Sequence, residues 1–168
     1  MNLSFPFEIE SGDSKLGAFA QPDFGFGNCP HGWLKNSSSC YLFVTHVDND
    51  WTESQYFCSM LGAKLVEIET DEENNYLQSQ ARTAHQHVKS GFWIGGTDAV
   101  IEGEWIWMKS QAPFSFTDWA RNFPDDYESN EDCAHMWPEV DFSWNDSHCD
   151  ERMNFICEKE LEETLVIG

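Results

Sequence analysis

Basic residues are scarce in this sequence: 9 lysines and arginines stand against 30 aspartates and glutamates, a formal net charge of −21 at pH 7. Nucleic-acid phosphates and anionic lipids repel such a chain, so neither is expected as a partner. The sequence also has no apolar run long enough to span a bilayer. A cation, a neutral ligand or a mineral surface suits this charge better.

The sequence also lacks the short motifs of common enzymes and zinc proteins. It has no Cys-x-x-Cys pair, no Gly-x-Ser-x-Gly elbow and no His-Glu-x-x-His run. We therefore predict that the protein is not an enzyme. Met1–Ala20 lacks the charged start and apolar run of a secretory leader, so we expect that a leader was removed or that Met1 was added to a mature chain.

What the chain does have is six cysteines, an even number. Disulfides persist in oxidising compartments, so these cysteines predict a secreted, extracellular protein stapled by disulfide bonds. Six free thiols in a cytosolic protein would be the alternative. Because no cysteine is left over, any homo-oligomer should be non-covalent.

The chain divides into three parts by composition. Residues 1–27 mix five phenylalanines with Gly, Pro and Ser and show no period, which predicts a flexible N-terminal arm. Residues 28–159 form the expected single domain, with residues 160–168 as an acidic C-terminal tail. Aromatics make up 15% of the sequence, which is enough apolar surface for a packed core.

The domain shows a mixed pattern of helices and strands. Thr52 with Gln55 makes a capping box that predicts a helix to about Leu61, with Trp51, Tyr56 and Met60 on its buried side. A second box predicts a helix from Thr70 to about Arg82. Short strands are predicted at 41–44, 65–68, 92–94, 105–107 and 154–157. This order indicates an α+β fold.

Acidic residues are concentrated in a long irregular region, residues 109–148. They are Asp125, Asp126, Glu128, Glu131, Asp132, Asp141, Asp146 and, just beyond it, Asp150. Carboxylates brought close together repel one another, and a bound Ca²⁺, which takes about 6–8 oxygen ligands, removes that cost. A merely solvated acidic loop would leave the interleaved tryptophans unexplained.

These features together resemble the C-type lectin-like domain, and the secreted perlucin-like lectins of invertebrates in particular. The resemblance rests on the six cysteines, the Trp93-Ile94-Gly95-Gly96 run and the Trp144-Asn145-Asp146 run, and it covers Cys29 to Glu158. It implies two helices packed on small antiparallel sheets with a long calcium-binding loop. It also implies three disulfides: Cys29–Cys40, Cys58–Cys157 and Cys133–Cys149.

The resemblance also implies a calcium site that binds sugar. Its residues would be Asp125, Glu131, Asn145 and Asp146, with Tyr127 placed to stack on a sugar face. The family motif around a proline usually starts with Glu or Gln, but here it reads Phe123-Pro124-Asp125. Phe123 cannot coordinate calcium, so one ligand is missing. Asp125 and Tyr127 favour galactose or N-acetylgalactosamine.

A second, structural calcium site is implied as well. Its residues would be Asp98, Glu102, Asp126, Glu131 and Asp132. The resulting first hypothesis is a calcium-dependent carbohydrate-binding protein of innate immunity. The alternatives are a lectin-like domain that contacts protein, which Phe123 would favour, and an acidic biomineral or ice-binding matrix protein, which the net charge would favour.

Overall fold

The computed structural model describes residues 27–87 and 90–161. The predicted N-terminal arm therefore lies outside the described residues except for Gly27, and so does the tail beyond Leu161. The elements, in chain order, are β1 (Leu34–Asn36), β2 (Ser39–Asn49), α1 (Trp51–Met60), β3 (Lys64–Leu65), α2 (Asp71–Ala84), β4 (Phe92–Thr97), β5 (Ile106–Trp107), β6 (Cys133–Met136), β7 (Trp144–Ser147) and β8 (Met153–Glu160).

The strands join into one hydrogen-bonded path in the order β1-β2-β8-β4-β6-β7, with β3 added to β8 and β5 to β4. All pairs are antiparallel except β4 and β8, which are parallel. The α+β prediction is confirmed. The expected small antiparallel sheets are in fact one mixed sheet, because β8 pairs with β2, β3 and β4 at once.

Helix α1 begins two residues earlier than its predicted capping box. Its N-cap is Asp50, whose side chain accepts from the Glu53 N–H, while the Glu53 side chain accepts from the Asp50 N–H. The Thr52–Gln55 box is therefore wrong. So is the predicted buried side, since Tyr56 is 66% exposed and Met60 62% exposed.

The buried side of α1 follows from its disulfide. Trp51, Ser54 and Cys58 face the sheet, and Cys58 is bonded to Cys157 in β8. Residues two positions from Cys58 lie about 200° around the helix, on the opposite side. Tyr56 and Met60 both lie on that opposite side, which faces solvent.

Helix α2 begins with Thr70 as its N-cap, as predicted, and runs two residues beyond Arg82. The Thr70 hydroxyl accepts from the Glu73 N–H, but the Glu73 carboxylate does not accept from the Thr70 N–H in return. The carboxylate accepts instead from the Glu69 N–H and from the Tyr41 hydroxyl. This second contact ties α2 to β2.

The core divides into two clusters of buried side chains. One packs α2 against the sheet, around Leu77, Phe92 and Trp144, and the other packs α1 against it, around Trp93 and Phe155. All three implied disulfides, Cys29–Cys40, Cys58–Cys157 and Cys133–Cys149, are present. Among the described residues, no helix is both long and apolar enough to cross a bilayer.

The region 109–148 is less irregular than predicted, because it contains β6 and β7. Its remaining turns are held by pairing with β7: Ala120 N–H donates to the Trp144 carbonyl, and Trp144 N–H to the Asp118 carbonyl. Phe114 and Trp119 pack around the Trp144 ring. Asp118 also accepts from two α2 side chains, Asn74 and Gln78.

Candidate functional site

The end of β4, the start of β6 and the end of β7 lie side by side in the sheet. Acidic residues lie in these strands or just outside them. Thr97, the last residue of β4, pairs with Cys133, the first of β6, and Cys133 pairs with Ser147, the last of β7. The residues just outside β4 and β6 are therefore neighbours: the Asp98 N–H donates to the Asp132 carbonyl. The β-pairing thus gathers carboxylates from distant parts of the chain.

The first group, the Asp125 cluster, consists of Asp125, Glu131 and Asp146. One carboxylate oxygen from each lies within 4.8 Å of the others, close enough to share one metal ion. Asn145 precedes Asp146 in β7 and is 9% exposed. Its Oδ1 atom has no hydrogen-bond partner in the described part of the chain. Such an unpartnered buried oxygen costs about 1–3 kcal/mol, and a bound cation would satisfy it.

Asp146 holds the loop that carries this cluster. Its buried carboxylate accepts from the Asp125 N–H at 3.0 Å and from the Asp126 N–H at 2.7 Å. The loop contains a cis peptide bond between Phe123 and Pro124. Glu131 accepts from the Tyr127 N–H at 3.1 Å, which closes the loop over the cluster.

The cluster is electrostatically unfavourable without a cation. Burial, followed by the charges of Asp146 and Asp125, raises the pKa of Glu131 to about 7, against opposing contributions from the Tyr127 N–H and His148. Burial also raises the pKa of Asp146, although N–H donors from the loop counteract it. A calcium ion would reverse both effects.

The second group, the Asp98 cluster, consists of Asp98, Glu102 and Asp132, with one oxygen from each again within 4.8 Å of the others. Asp98 is 3% exposed, and its Oδ2 accepts from the Gly103 N–H at 2.9 Å. Its Oδ1 is buried and finds no partner among the residues described. Loss of solvent raises the pKa of Glu102, and the charges of Asp98, Asp126 and Asp132 raise it further.

The structure thus brings together most of the residues expected at each site. Asp126 lies outside the Asp98 cluster proper, with its Oδ1 accepting from the Glu131 N–H. Glu131 groups with Asp125 rather than with Asp98. Tyr127 is 61% exposed beside the Asp125 cluster. The Phe123 ring packs edge-on against Trp137, with centroids 5.6 Å apart.

One neighbour of the Asp125 cluster was missed at the sequence level. His135 is paired with Asn145 across β6 and β7, and its Nε2 lies 3.2 Å from the Asn145 amide nitrogen and 3.1 Å from the Ser147 hydroxyl. Burial lowers the pKa of His135 to about 4, so the ring is neutral at pH 7. A single histidine after Cys133 carries no spacing signal, which is why the sequence did not reveal it.

Comparison with known proteins identifies a family. The model of the Lectin C-type domain matches residues 47–159. A perlucin-like protein of Mytilus galloprovincialis is 36% identical over 131 residues, covering 77% of this chain and 82% of that protein. An alpha-N-acetylgalactosamine-specific lectin of Patiria pectinifera is 37% identical over 149 residues, covering 83% and 87%.

A solved structure agrees with these relatives. The carbohydrate-recognition domain of mouse scavenger receptor C-type lectin superimposes with a TM-score of 0.72 at 33% identity, covering 80% of this chain and 100% of that domain. The structural similarity therefore covers four fifths of this chain, and the family model covers both helices and the residues of the two clusters.

Proposed function

The chain belongs to the C-type lectin domain family, and from this premise we propose that it is a secreted, calcium-dependent carbohydrate-binding protein without enzymatic activity. The observation that carries the proposal is the Asp125 cluster beside the unpartnered Asn145 oxygen. The set consists of oxygen donors only, which is what calcium prefers. A sugar would bind there by completing the shell of the ion with neighbouring hydroxyl groups.

The preference we propose is for galactose or N-acetylgalactosamine. Asp125 is the exposed member of the cluster, and the Tyr127 side chain stands in solvent next to it. An exposed aromatic ring can stack on the apolar face of galactose. The similarity to an N-acetylgalactosamine-specific lectin supports the same preference.

Phe123 removes one oxygen from the usual ligand set. Because calcium affinity follows the number and charge of its ligands, we expect weaker calcium binding at the Asp125 cluster than at the Asp98 cluster. The ring itself is half-buried against Trp137 and therefore has a packing role. Because this contact covers part of the ring, Phe123 gives less support to the alternative that the domain binds protein.

We assign the Asp98 cluster, with Asp126 close by, to a structural calcium ion. That ion would balance the charges of Asp98, Glu102 and Asp132 and satisfy the buried Asp98 oxygen. It would hold the 98–103 loop against the start of β6 without touching sugar. The disulfides fit an extracellular compartment.

The test is binding of galactose- and mannose-type glycans, with and without a chelator, by the parent protein and by Asp125→Asn. The parent should bind galactose-type glycans only in calcium, and Asp125→Asn should bind at least about tenfold more weakly, because one anionic ligand is lost. Asp71→Asn, an exposed aspartate on α2, is the matched control and should bind like the parent.

Two results would count against the proposal. Binding that survives the chelator would reject the role of calcium. Parent-like sugar binding by Asp125→Asn would reject the Asp125 cluster as the site. If the parent bound no glycan at all, the protein-contact function would become the first hypothesis.

A further inference from the structure

The chain contains the acceptor motif for N-linked glycans, Asn-x-Ser, at three places: Asn2-Leu3-Ser4, Asn36-Ser37-Ser38 and Asn145-Asp146-Ser147. The first motif lies outside the described residues. A glycan is bulky and hydrophilic, so an asparagine that carries one must reach solvent in the folded protein. The structure places the other two motifs in opposite surroundings and so distinguishes what the sequence alone does not.

Asn36 lies at the tip of a tight β-hairpin. It is the last residue of β1 and pairs with Ser39, the first residue of β2, so the turn consists of Ser37 and Ser38 alone. Both turn residues are exposed, and Ser37 has a positive φ of 53°. Asn36 itself is partly exposed. The whole motif is therefore at a surface turn, where a glycan would extend into solvent.

The contacts that hold this hairpin do not use the Asn36 side chain. The Ser38 carbonyl accepts from the Leu161 N–H at 2.7 Å. The Cys29–Cys40 disulfide ties the start of β2 to the segment before β1. A glycan on the Nδ2 atom of Asn36 would disturb neither contact, so the fold can carry it.

Asn145 is enclosed by the sheet instead. It lies in β7, is 9% exposed and pairs with His135 of β6. Its Nδ2, the atom to which a glycan would be attached, lies 3.2 Å from His135 Nε2. The rest of the motif, Asp146 and Ser147, is buried as well. A glycan at Asn145 would therefore require β7 to separate from β6.

The hairpin also lies apart from the candidate sugar site in the sheet. The strand order is β1-β2-β8-β4-β6-β7, so β1 and β7 stand at opposite ends of the hydrogen-bonded path. Asn145 and Asp146 of the candidate site are in β7, whereas Asn36 is in β1. A glycan on Asn36 is thus expected to leave the Asp125 cluster uncovered.

We propose that Asn36 is an N-glycosylation site of this protein and that Asn145 stays unmodified in the folded chain. The co-reactant is a lipid-linked oligosaccharide diphosphate. A bond forms between Asn36 Nδ2 and C1 of the first sugar, the bond from C1 to the diphosphate oxygen breaks, and the amide releases one proton. The proposal rests on the extracellular location proposed above, because N-linked glycans are added on the export route.

The test is expression of the full chain behind a secretion leader in cultured animal cells. Every protein in the test carries Asn2→Gln, so that the motif outside the described residues adds no glycan. Peptides of the secreted protein are mapped by mass spectrometry before and after treatment with peptide N-glycosidase. The protein should carry one glycan, attached to Asn36, and Asn145 should be unmodified.

Three variants identify the acceptor. Asn36→Gln and Ser38→Ala should each lose the glycan, because each destroys the motif. Ser38→Thr is the matched control at the same position and should keep the glycan, since threonine also completes the motif. Loss of the glycan in Ser38→Thr, or its survival in Ser38→Ala, would contradict the assignment.

The remaining outcomes separate this proposal from the function proposed above. Secreted protein with an unmodified Asn36 would reject the glycosylation site and leave the extracellular location standing. A glycan on Asn145 of the secreted protein would reject the argument from its burial in β7. A chain that the cells retain in spite of the leader would overturn the location and this proposal together. A secreted, glycosylated protein that binds no sugar would reject the lectin function alone.

Discussion

At the scale of single residues, Glu131 links the candidate calcium site to pH. Its pKa is raised to about 7, first by burial and then by Asp146 and Asp125. The carboxyl group is therefore protonated in part of the molecules at pH 7, and calcium must displace that proton to bind. Acidification should therefore weaken calcium binding already at pH values well above the usual pKa of a glutamate.

We predict that calcium binding releases a fraction of a proton from Glu131 at pH 7, because burial raises the pKa of its carboxyl group to about 7. Titration calorimetry in buffers of different ionisation enthalpy measures this release. The Glu131→Gln variant should release less, and its weaker calcium affinity should depend less on pH between 6 and 8. A parent protein that binds calcium without releasing protons at pH 7 would disprove the assignment.

A carboxylate outside the two acidic clusters also has a raised pKa. Glu158 in β8 is 5% exposed, and it accepts from the Ser39 hydroxyl at 2.9 Å and from the Glu67 N–H at 3.2 Å. Burial raises its pKa from 4.5 to about 7, against the attraction of Lys64. The folded chain therefore binds a proton between these pH values that the unfolded chain does not.

This difference predicts a loss of stability as pH rises. The contribution of Glu158 is fully present below about pH 4.5 and declines up to about pH 7, by roughly 1.4 kcal/mol for each unit within that window. Glu158→Gln should therefore gain stability relative to the parent from pH 5 to 7.5, as measured by urea unfolding in chelator. Glu160→Gln, exposed on the same strand, is the control. Parallel pH profiles for Glu158→Gln and the parent would contradict the prediction.

At the scale of elements, α1 shows what a local pattern can and cannot decide. Asp50 with Glu53 and Thr52 with Gln55 both fit the capping-box spacing, so local spacing does not decide between them, and the predicted helix begins two residues late. Contacts from elsewhere select Asp50: the Trp51 N–H donates to the Cys149 carbonyl, and Arg152 donates to the Glu53 carboxylate. Tertiary hydrogen bonds of this kind leave no trace in local spacing.

The two capping boxes can be distinguished by mutation. Asp50→Ala should lower the free energy of unfolding by about 1 kcal/mol, because the Glu53 N–H loses its acceptor. Thr52→Ala should be neutral or slightly stabilising, since Thr52 is exposed and alanine is the better helix former. Urea denaturation of the two variants gives the comparison. No loss in Asp50→Ala would mean that the cap contributes nothing, and an equal loss in Thr52→Ala would mean that the effect is not specific to Asp50.

The long loop shows a different limit of sequence reasoning. The tryptophans interleaved with the acidic residues of 109–148 argue against a merely solvated loop, and the family resemblance implies that the loop binds calcium. The structure orders it largely by aromatic packing on Trp144 and by backbone pairing of 118–120 with β7. Strand β6 and the segment 118–120 both pair with β7. Such pairing depends on the whole sheet, so a local sequence pattern could not predict it.

At the scale of the whole molecule, the sheet and its disulfides place the two acidic clusters. The pairing of cysteines was implied by the family resemblance and is confirmed; composition alone could not have given it. Cys58–Cys157 spans 99 residues, and a loop of that length is worth on the order of 4–5 kcal/mol in the chain-entropy model. This disulfide therefore stabilises the scaffold around the clusters whether or not an ion binds.

The last prediction separates the two clusters by their effects on stability. Calcium that binds only the folded chain should raise the melting temperature by several degrees, since calcium at about 100 times its dissociation constant adds about 2.7 kcal/mol. Asp98→Asn should lose most of that shift. In chelator it should melt at or above the parent, because it removes a buried charge whose pKa is raised by burial and by Asp132. Asp125→Asn should keep most of the shift in melting temperature that calcium causes, while losing sugar binding.

Differential scanning calorimetry of the three proteins, in calcium and in chelator, makes the comparison. If the parent melts at the same temperature in both, the Asp98 cluster holds no structural ion, and aromatic packing and backbone pairing order the loop without one.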